Sequence, residues 1–229
     1  MMNAKSPIPY KTVSDSVYEW IKEAIIRGEF RPGEHLAQER ITERLGVSRT
    51  PVRDAIKRLE AEGLVIVKPR CGAEVFDISE EQLTELYEVR ILLEQYCAAK
   101  GCAAVTDEQI REIEQINRNM GNLPRESMQF MDEDRRFHRA CCAISGCQGT
   151  IEILEPLWTR CDAFKAIYYA LEGKANDTLK EHEKIIQALR RRDAEGVKAA
   201  INNHLQDVVR ANVIRIRADR AEKALVSEV

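Results

Sequence analysis

Four side chains in the second half of the sequence could act together on a metal ion. Asp134 and His138 are four residues apart in DEDRRFHRA, so on a helix they share one face. His182 stands in NDTLKEHEKIIQAL, where Ile185, Ile186 and Leu189 set the buried side of a helix. His204 stands in VKAAINNHLQDVV, on or beside the face of Val197, Ile201 and Val208. Each of the four residues thus falls at or near the inward face of its own helix. A bundle that joins these faces would offer three imidazoles and one carboxylate. Such a set suits zinc, nickel, manganese or iron and leaves one or two coordination positions open for the carboxylate or hydroxyl of a small ligand. Taken singly, an inward histidine is more often a hydrogen-bonded core residue. Asp134 and His138 alone could be a surface pair worth only about 0.3–0.5 kcal/mol.

A second group carries positive charge. Arg49, Arg53 and Lys57 recur every four residues and form a stripe, while Val52, Ala55, Ile56 and Leu59 form the opposing apolar face of the same helix. One face for a core and one basic face outward fits the major groove of B-DNA. Ser48 or Thr50 could cap this helix, and its N-terminal amides favour a phosphate. Lys68 and Arg70, in KPRCG between LVIV and AEVF, lie at the tip of an expected hairpin and extend the patch. A basic stripe can also be merely a solvated surface, and Asp54 and Glu60 dilute this one.

The elements that must position these groups are mainly helical. VSDSVYEWIKEAII, with Ser14 or Ser16 as its cap, LAQERITERL and SRTPVRDAIKRLEAEG read as three helices ahead of the hairpin, the order of a winged helix-turn-helix. SEEQ (79–82) and TDEQ (106–109) are capping boxes that open two further helices. Others are expected over about 124–145, 150–171, 176–192 and 193–222, with Pro156 kinking or restarting the second of these. The expected architecture is a DNA-binding domain over 1–77 and an all-α antiparallel bundle over 78–229.

Composition is that of an ordinary globular protein, and if the first half binds an acidic partner it must do so through a local patch. Of the 229 residues, 32% are charged and 44% apolar. Residues 1–77 hold 13 Lys and Arg against 12 Asp and Glu, so neither half is a polyelectrolyte. No apolar run approaches the roughly 18 residues of a membrane helix, and MMNAKSPIPYKTVSD does not read as a secretory leader, so the expected location is the cytoplasm, away from membranes. The seven cysteines contain no CxxC and read as reduced thiols.

GVSRTPVRDAIKRLEAEGLV, preceded by GEFRPGEHL and followed by KPRCGAEV, closely resembles the N-terminal signature of GntR-family bacterial transcription regulators over about residues 13–76. The resemblance implies a dimer on a near-palindromic double-stranded operator, with Ser48, Arg49, Thr50 and Arg53 contacting DNA and Gly72 at the wing tip. Two residues depart from the pattern: Cys71 replaces a polar wing residue, and Glu39 stands where the fatty-acid-responsive member has a DNA-contacting arginine. Residues 79–220 look like the helical FCD effector domain of the FadR subgroup, on D-x-x-F-H (134–138), EHEKIIQAL (181–189), A-x-x-x-H-L (200–205) and the helix LYEVRILLEQYCAAKGC. That resemblance implies a metal held by Asp134, His138, His182 and His204, zinc first among the candidates, with a small organic acid bound beside it. Arg90 could then pair with the acid's carboxylate, or instead with Glu94 one turn on. Cys147 and Gln148 depart from the family's usual asparagine after Ser-Gly.

The function expected from this is regulation of transcription by a small carboxylate effector. Two other functions compete with it. A metalloenzyme could use the same four ligands to activate water, but no general base or nucleophile motif accompanies them. A redox-responsive regulator could use Cys97, Cys102, Cys141, Cys142 or Cys147.

Overall fold

The computed structural model describes residues 11–125, 127–169 and 171–227, without the side chains at 163, 166, 167, 219 and 221–227. Residues 1–10, most of the stretch read for a leader, lie outside it. The chain divides into two compact units, the first ending at Phe76 and the second running from Asp77, with Ile26–Gly28 grouped with the second.

The first unit contains α1 (Val13–Ile26), α2 (Gln38–Leu45), α3 (Arg49–Ala61) and a hairpin of β1 (Val65–Lys68) and β2 (Gly72–Val75). Val17, Ile21, Leu36, Ile41, Val52, Ala55, Ile56, Leu59, Leu64 and Val75 make its core. The cap of α1 is Thr12, not Ser14 or Ser16. Its hydroxyl accepts from the Asp15 amide at 3.1 Å and its own amide donates to the Asp15 carboxylate at 2.9 Å, a reciprocal pair that begins the helix earlier than either serine would. The hairpin is antiparallel, pairing Val65 with Val75 and Lys68 with Gly72. At its tip the Cys71 amide donates to the Lys68 carbonyl at 3.1 Å, closing a turn in which Arg70 has φ +67°. Gly72 follows with φ +89°, and a Cβ there would stand 2.6 Å from His35 Nε2. The positive φ favours glycine at this position.

The second unit is built from α4 (Glu80–Cys102), α5 (Asp107–Gly121), α6 (Met128–Ala143), α7 (Gln148–Tyr169), α8 (Lys174–Arg190) and α9 (Ala194–Ser227). Ser79 and Thr106 form the expected capping boxes with Gln82 and Gln109. Ser127 caps α6, which therefore begins four residues later than Pro124 suggested. Helix α7 runs unbroken through Pro156. One missing amide removes only one rung, and Leu154 and Trp158, both fully buried, hold the helix against the core on either side of the proline.

Contacts between side chains fix the helix directions. Gln95 reaches Lys198 and Glu80 pairs with Arg217, so α4 and α9 are antiparallel. Asp107 pairs with Arg192 and Asn117 meets His182, so α5 and α8 are antiparallel. Arg139 pairs with Glu155 and Lys165 with Asp134, so α6 and α7 are antiparallel as well. In contrast, α4 and α6 run parallel, Glu94 facing His138 and Gly101 facing Ile144. Helix α5 returns the chain between them.

Candidate functional site

Helix α6 supplies Asp134 and His138, α8 supplies His182 and α9 supplies His204. All four are buried, and their ligand atoms lie within 4.8 Å of one another. His182 Nε2 is 3.4 Å from Asp134 Oδ1, His138 Nε2 is 3.8 Å from the same oxygen, and the Nε2 atoms of His138 and His204 are 3.2 Å apart. The far side of each ring is held by its own acceptor. His138 Nδ1 meets Glu94 Oε2 at 2.8 Å, His204 Nδ1 meets Glu181 Oε2 at 2.9 Å, and His182 Nδ1 meets Asn117 Oδ1 at 3.2 Å. The Asn117 amide is oriented by its Nδ2 donating to the Leu179 carbonyl at 3.3 Å. Phe137 stacks flat on His182, ring centroids 3.7 Å apart and 7° between planes.

Carboxylates and an amide oxygen can only accept, so each Nδ1 carries a proton, and in the neutral form of each ring Nε2 presents a lone pair. With both rings neutral, two lone pairs 3.2 Å apart repel, and a cation between them removes that repulsion. His182 Nε2 and Asp134 Oδ1 have no hydrogen-bond partner although both are buried. Unpartnered acceptors converging on one point, each braced from behind, match the outer-shell arrangement of protein metal sites. The residues present therefore fit a divalent metal ion.

Glu94 is the hub of the surrounding network. Its Oε1 accepts from Arg90 Nε and from Trp158 Nε1, each at 2.7 Å, while Oε2 takes His138. Burial opposes charge on Glu94, but Arg90 and then His138 outweigh it and hold its pKa below the usual carboxylate range. Asp134 is likewise well below that range, because Lys165 and the three histidines outweigh its burial. The Lys165 ammonium is itself buried between two carboxylates, 2.6 Å from Asp134 Oδ2 and 3.3 Å from Asp162 Oδ1.

Burial, reinforced by the neighbouring His204, pushes His182 well below the ordinary imidazole value of 6.5, and burial lowers His138 despite Glu94. The unfolded chain therefore takes up protons below pH 6.5 that the folded chain refuses. This part of the stability is fully present above that pH and is lost as pH falls toward the depressed folded values. Asp134 and Glu94 add losses only at lower pH, below the ordinary carboxylate range. For metal-free protein we expect the urea midpoint to fall steadily between pH 7 and pH 5. A midpoint that stays level or rises over that interval would contradict neutral buried imidazoles.

Arg90 does face the interior and pairs with Glu94, the second of its two expected partners. Its Nη2 remains buried and without a partner, as does the hydroxyl of Tyr87 one turn earlier. Sequence reasoning missed the hydrogen-bonding roles of Glu94, Asn117 and Glu181 toward the three rings. It also missed Lys165, for which a signal exists: the residue is seven positions from the buried Trp158, so a lysine occupies the apolar stripe of α7.

In the first unit, Ser48, Arg49, Thr50, Arg53 and Lys57 are all exposed on α3 or at its start. Ser48 occupies the N-cap position, but its hydroxyl makes no capping bond. Arg53 and Lys57 have no ion-pair partner among the described residues, whereas Arg49 lies 3.6 Å from Glu39. Both members of that pair are exposed, so it contributes little and would part readily before a phosphate. On the wing, Lys68 is paired with Glu74, and Arg70 projects from the turn without an ion pair among the described residues. No described helix is long and apolar enough to cross a membrane.

Two family models match this chain. The FCD domain matches residues 85–207, more than half of the sequence, and the family described as bacterial regulatory proteins, gntR family, matches residues 13–75. The HTH-type transcriptional repressor RspR of Escherichia coli K12 is 27% identical over 216 residues, which cover 93% of this chain and 94% of the relative. The Uxu operon transcriptional regulator of the same strain is 29% identical over 225 residues, covering 87% and 85%. The structure of E. coli McbR/YncC aligns with a TM-score of 0.70 at 22% identity over 90% of this chain and 99% of that one, a similarity of fold. The two sequence relatives are named as regulators of transcription, not as enzymes.

Proposed function

This chain belongs to the gntR family of bacterial transcription regulators that carry an FCD domain, and on that basis we propose that it is a repressor whose operator affinity is set by a small carboxylate effector. The reading places the DNA-binding domain at 1–77 and the effector domain at 78–229. One observation carries the effector half of it: three imidazoles braced at Nδ1, with their Nε2 atoms and Asp134 turned to one buried point. Asp134, His138, His182 and His204 would hold the ion. Zinc suits this donor set best, with nickel, manganese or iron as the other candidates. Once bound, the ion supplies a Lewis-acid position for an oxygen of the effector.

The protein's own donors supply the rest of the effector site. Arg90 Nη2 and the Tyr87 hydroxyl are buried without a hydrogen-bond partner. Two donors of this kind suit a carboxylate. The similarity to a named repressor favours repression over activation.

The DNA half rests on the exposed face of α3. In a homodimer on a near-palindromic operator, Arg49 and Arg53 would read bases, while Ser48, Thr50, Lys57, Lys68 and Arg70 would hold phosphates, with Gly72 shaping the wing. The effector changes affinity only if it prefers one arrangement of the dimer and DNA prefers the other.

Fluorescence anisotropy on a duplex selected from a random pool tests both halves. Arg53→Ala is expected to weaken binding to that duplex by about 1–3 kcal/mol while changing binding to random DNA much less. Zinc plus the effective member of a panel of small carboxylates should then weaken wild-type binding. Equal loss on both DNAs would reduce Arg53 to a phosphate contact, and indifference to every acid in the panel would overturn the effector reading.

A further inference from the structure

The parallel packing of α4 and α6 places three rungs in register. Glu94 meets His138 at 2.8 Å, Cys97 packs in one buried cluster with Cys142, and at Gly101 a Cβ would stand 2.5 Å from the Ile144 backbone. The middle rung is thus a pair of buried thiols between two helices that approach closely on either side of it. Both belong to one packed cluster with Ile151, Leu154 and Trp158, and the half-buried Cys147 packs against that cluster. We propose that Cys97, Cys142 and Cys147 form a peroxide-reactive thiol site that yields a reversible disulfide between α4 and α6, with Cys147 as the thiol that meets the oxidant.

Local chemistry separates Cys97 and Cys147 from the other thiols. Cys147 is half-buried beside Ser145 and Lys100, whose hydrogen bonds lower its pKa. The neighbouring Cys142, against the opposing effect of burial and with help from Ser145 and Thr150, lowers Cys97 to about 6, and the same contact together with burial pushes Cys142 well above the ordinary thiol value. Cys102, Cys141 and Cys161 are buried, and burial pushes all three upward. Thiolate character, rather than number of cysteines, decides reactivity.

The steps balance with hydrogen peroxide as oxidant. The Cys147 thiolate attacks one peroxide oxygen, the O–O bond breaks, and hydroxide leaves and is protonated to water, giving a sulfenic acid. The Cys97 thiolate attacks the Cys147 sulfur, and the S–O bond breaks to release a second water. Cys142 then attacks Cys97, the Cys97–Cys147 bond breaks, and the Cys142 proton passes to the departing Cys147 sulfur. The net change is two thiols and one peroxide to one disulfide and two waters. The resulting bond ties α4 to α6 one turn from the Glu94–His138 rung.

Full-length protein treated with a few equivalents of hydrogen peroxide, quenched with N-ethylmaleimide and digested without reductant decides the matter by peptide mass mapping. A Cys97–Cys142 linked peptide that disappears with dithiothreitol is the expected result. Cys142→Ser should trap a Cys97–Cys147 link, and Cys147→Ser should slow formation of the Cys97–Cys142 link by roughly tenfold or more, as loss of the most accessible thiolate requires. Recovery of Cys97 and Cys142 as maleimide adducts after Cys147 has been oxidised would overturn the proposal. So would a link that forms in Cys147→Ser as fast as in the wild type. If Cys142→Ser fails to fold, the wild-type map still decides.

Discussion

Replacing Glu94 with alanine is expected to cost about 3–5 kcal/mol of stability and to weaken metal binding roughly 10- to 100-fold. The first figure follows from what Glu94 leaves behind. Arg90 is 1% exposed, and its Nε has no other acceptor once the 2.7 Å bond is gone; Trp158 Nε1 loses its partner at the same moment. A guanidinium stranded in the core is far more costly than the loss of a well-paired one. The second figure follows from His138. Without Oε2 at 2.8 Å, nothing fixes which nitrogen carries the proton or how the ring is turned. Glu94→Gln separates the two effects: it preserves volume and one acceptor oxygen but not the charge that balances Arg90. Urea unfolding and competitive metal titration of the two variants measure both quantities. A stability loss below about 1 kcal/mol for the alanine variant would mean that Arg90 finds another partner or water, and the hub described above would not exist.

His182→Ala is expected to abolish stabilisation by metal. At a free concentration 100 times the dissociation constant, zinc should add about 2.7 kcal/mol to the wild type and nothing measurable to the variant. The variant will also be less stable without metal, because a ring stacked 3.7 Å from Phe137 is removed and a cavity remains. The decisive quantity is therefore the increment that zinc supplies to each protein, read by calorimetry or thermal shift. Binding to the selected duplex should be retained, since the substitution lies in the second unit. A His182→Ala protein that still carries one equivalent of metal would remove this histidine from the ligand set.

Much of this architecture can be read along the chain because its causes are local. Ser79 with Gln82, and Thr106 with Gln109, start helices through hydrogen bonds that span three residues, so the pattern in the sequence and the bond in the structure are the same fact. The two faces of α3 follow from helical periodicity, as does the inward position of His138, His182 and His204. Where local rules compete, the reading slips by a few residues. Thr12 rather than a serine begins α1, and Ser127 rather than Pro124 begins α6. Pro156 reads as a kink or a restart of its helix; there is no restart, and α7 continues through it with Leu154 and Trp158 buried on either side.

What periodicity cannot supply is which inward faces meet, and at what height. His138 and Glu94 are 44 residues apart, His204 and His138 are 66 apart, and Asn117 and His182 are 65 apart. No rule of a few residues' range relates such positions. Their meeting depends on α4 and α6 lying parallel and close enough that Gly101 has no room for a Cβ, while α8 and α9 close the other side. The residue types of the site, three imidazoles and a carboxylate on inward faces, were determined by the sequence alone. Their common point, the acceptor behind each ring and the buried lysine beside Asp134 were decided by the packing of whole helices, because a side chain's neighbours across a bundle are set by the sum of many distant contacts.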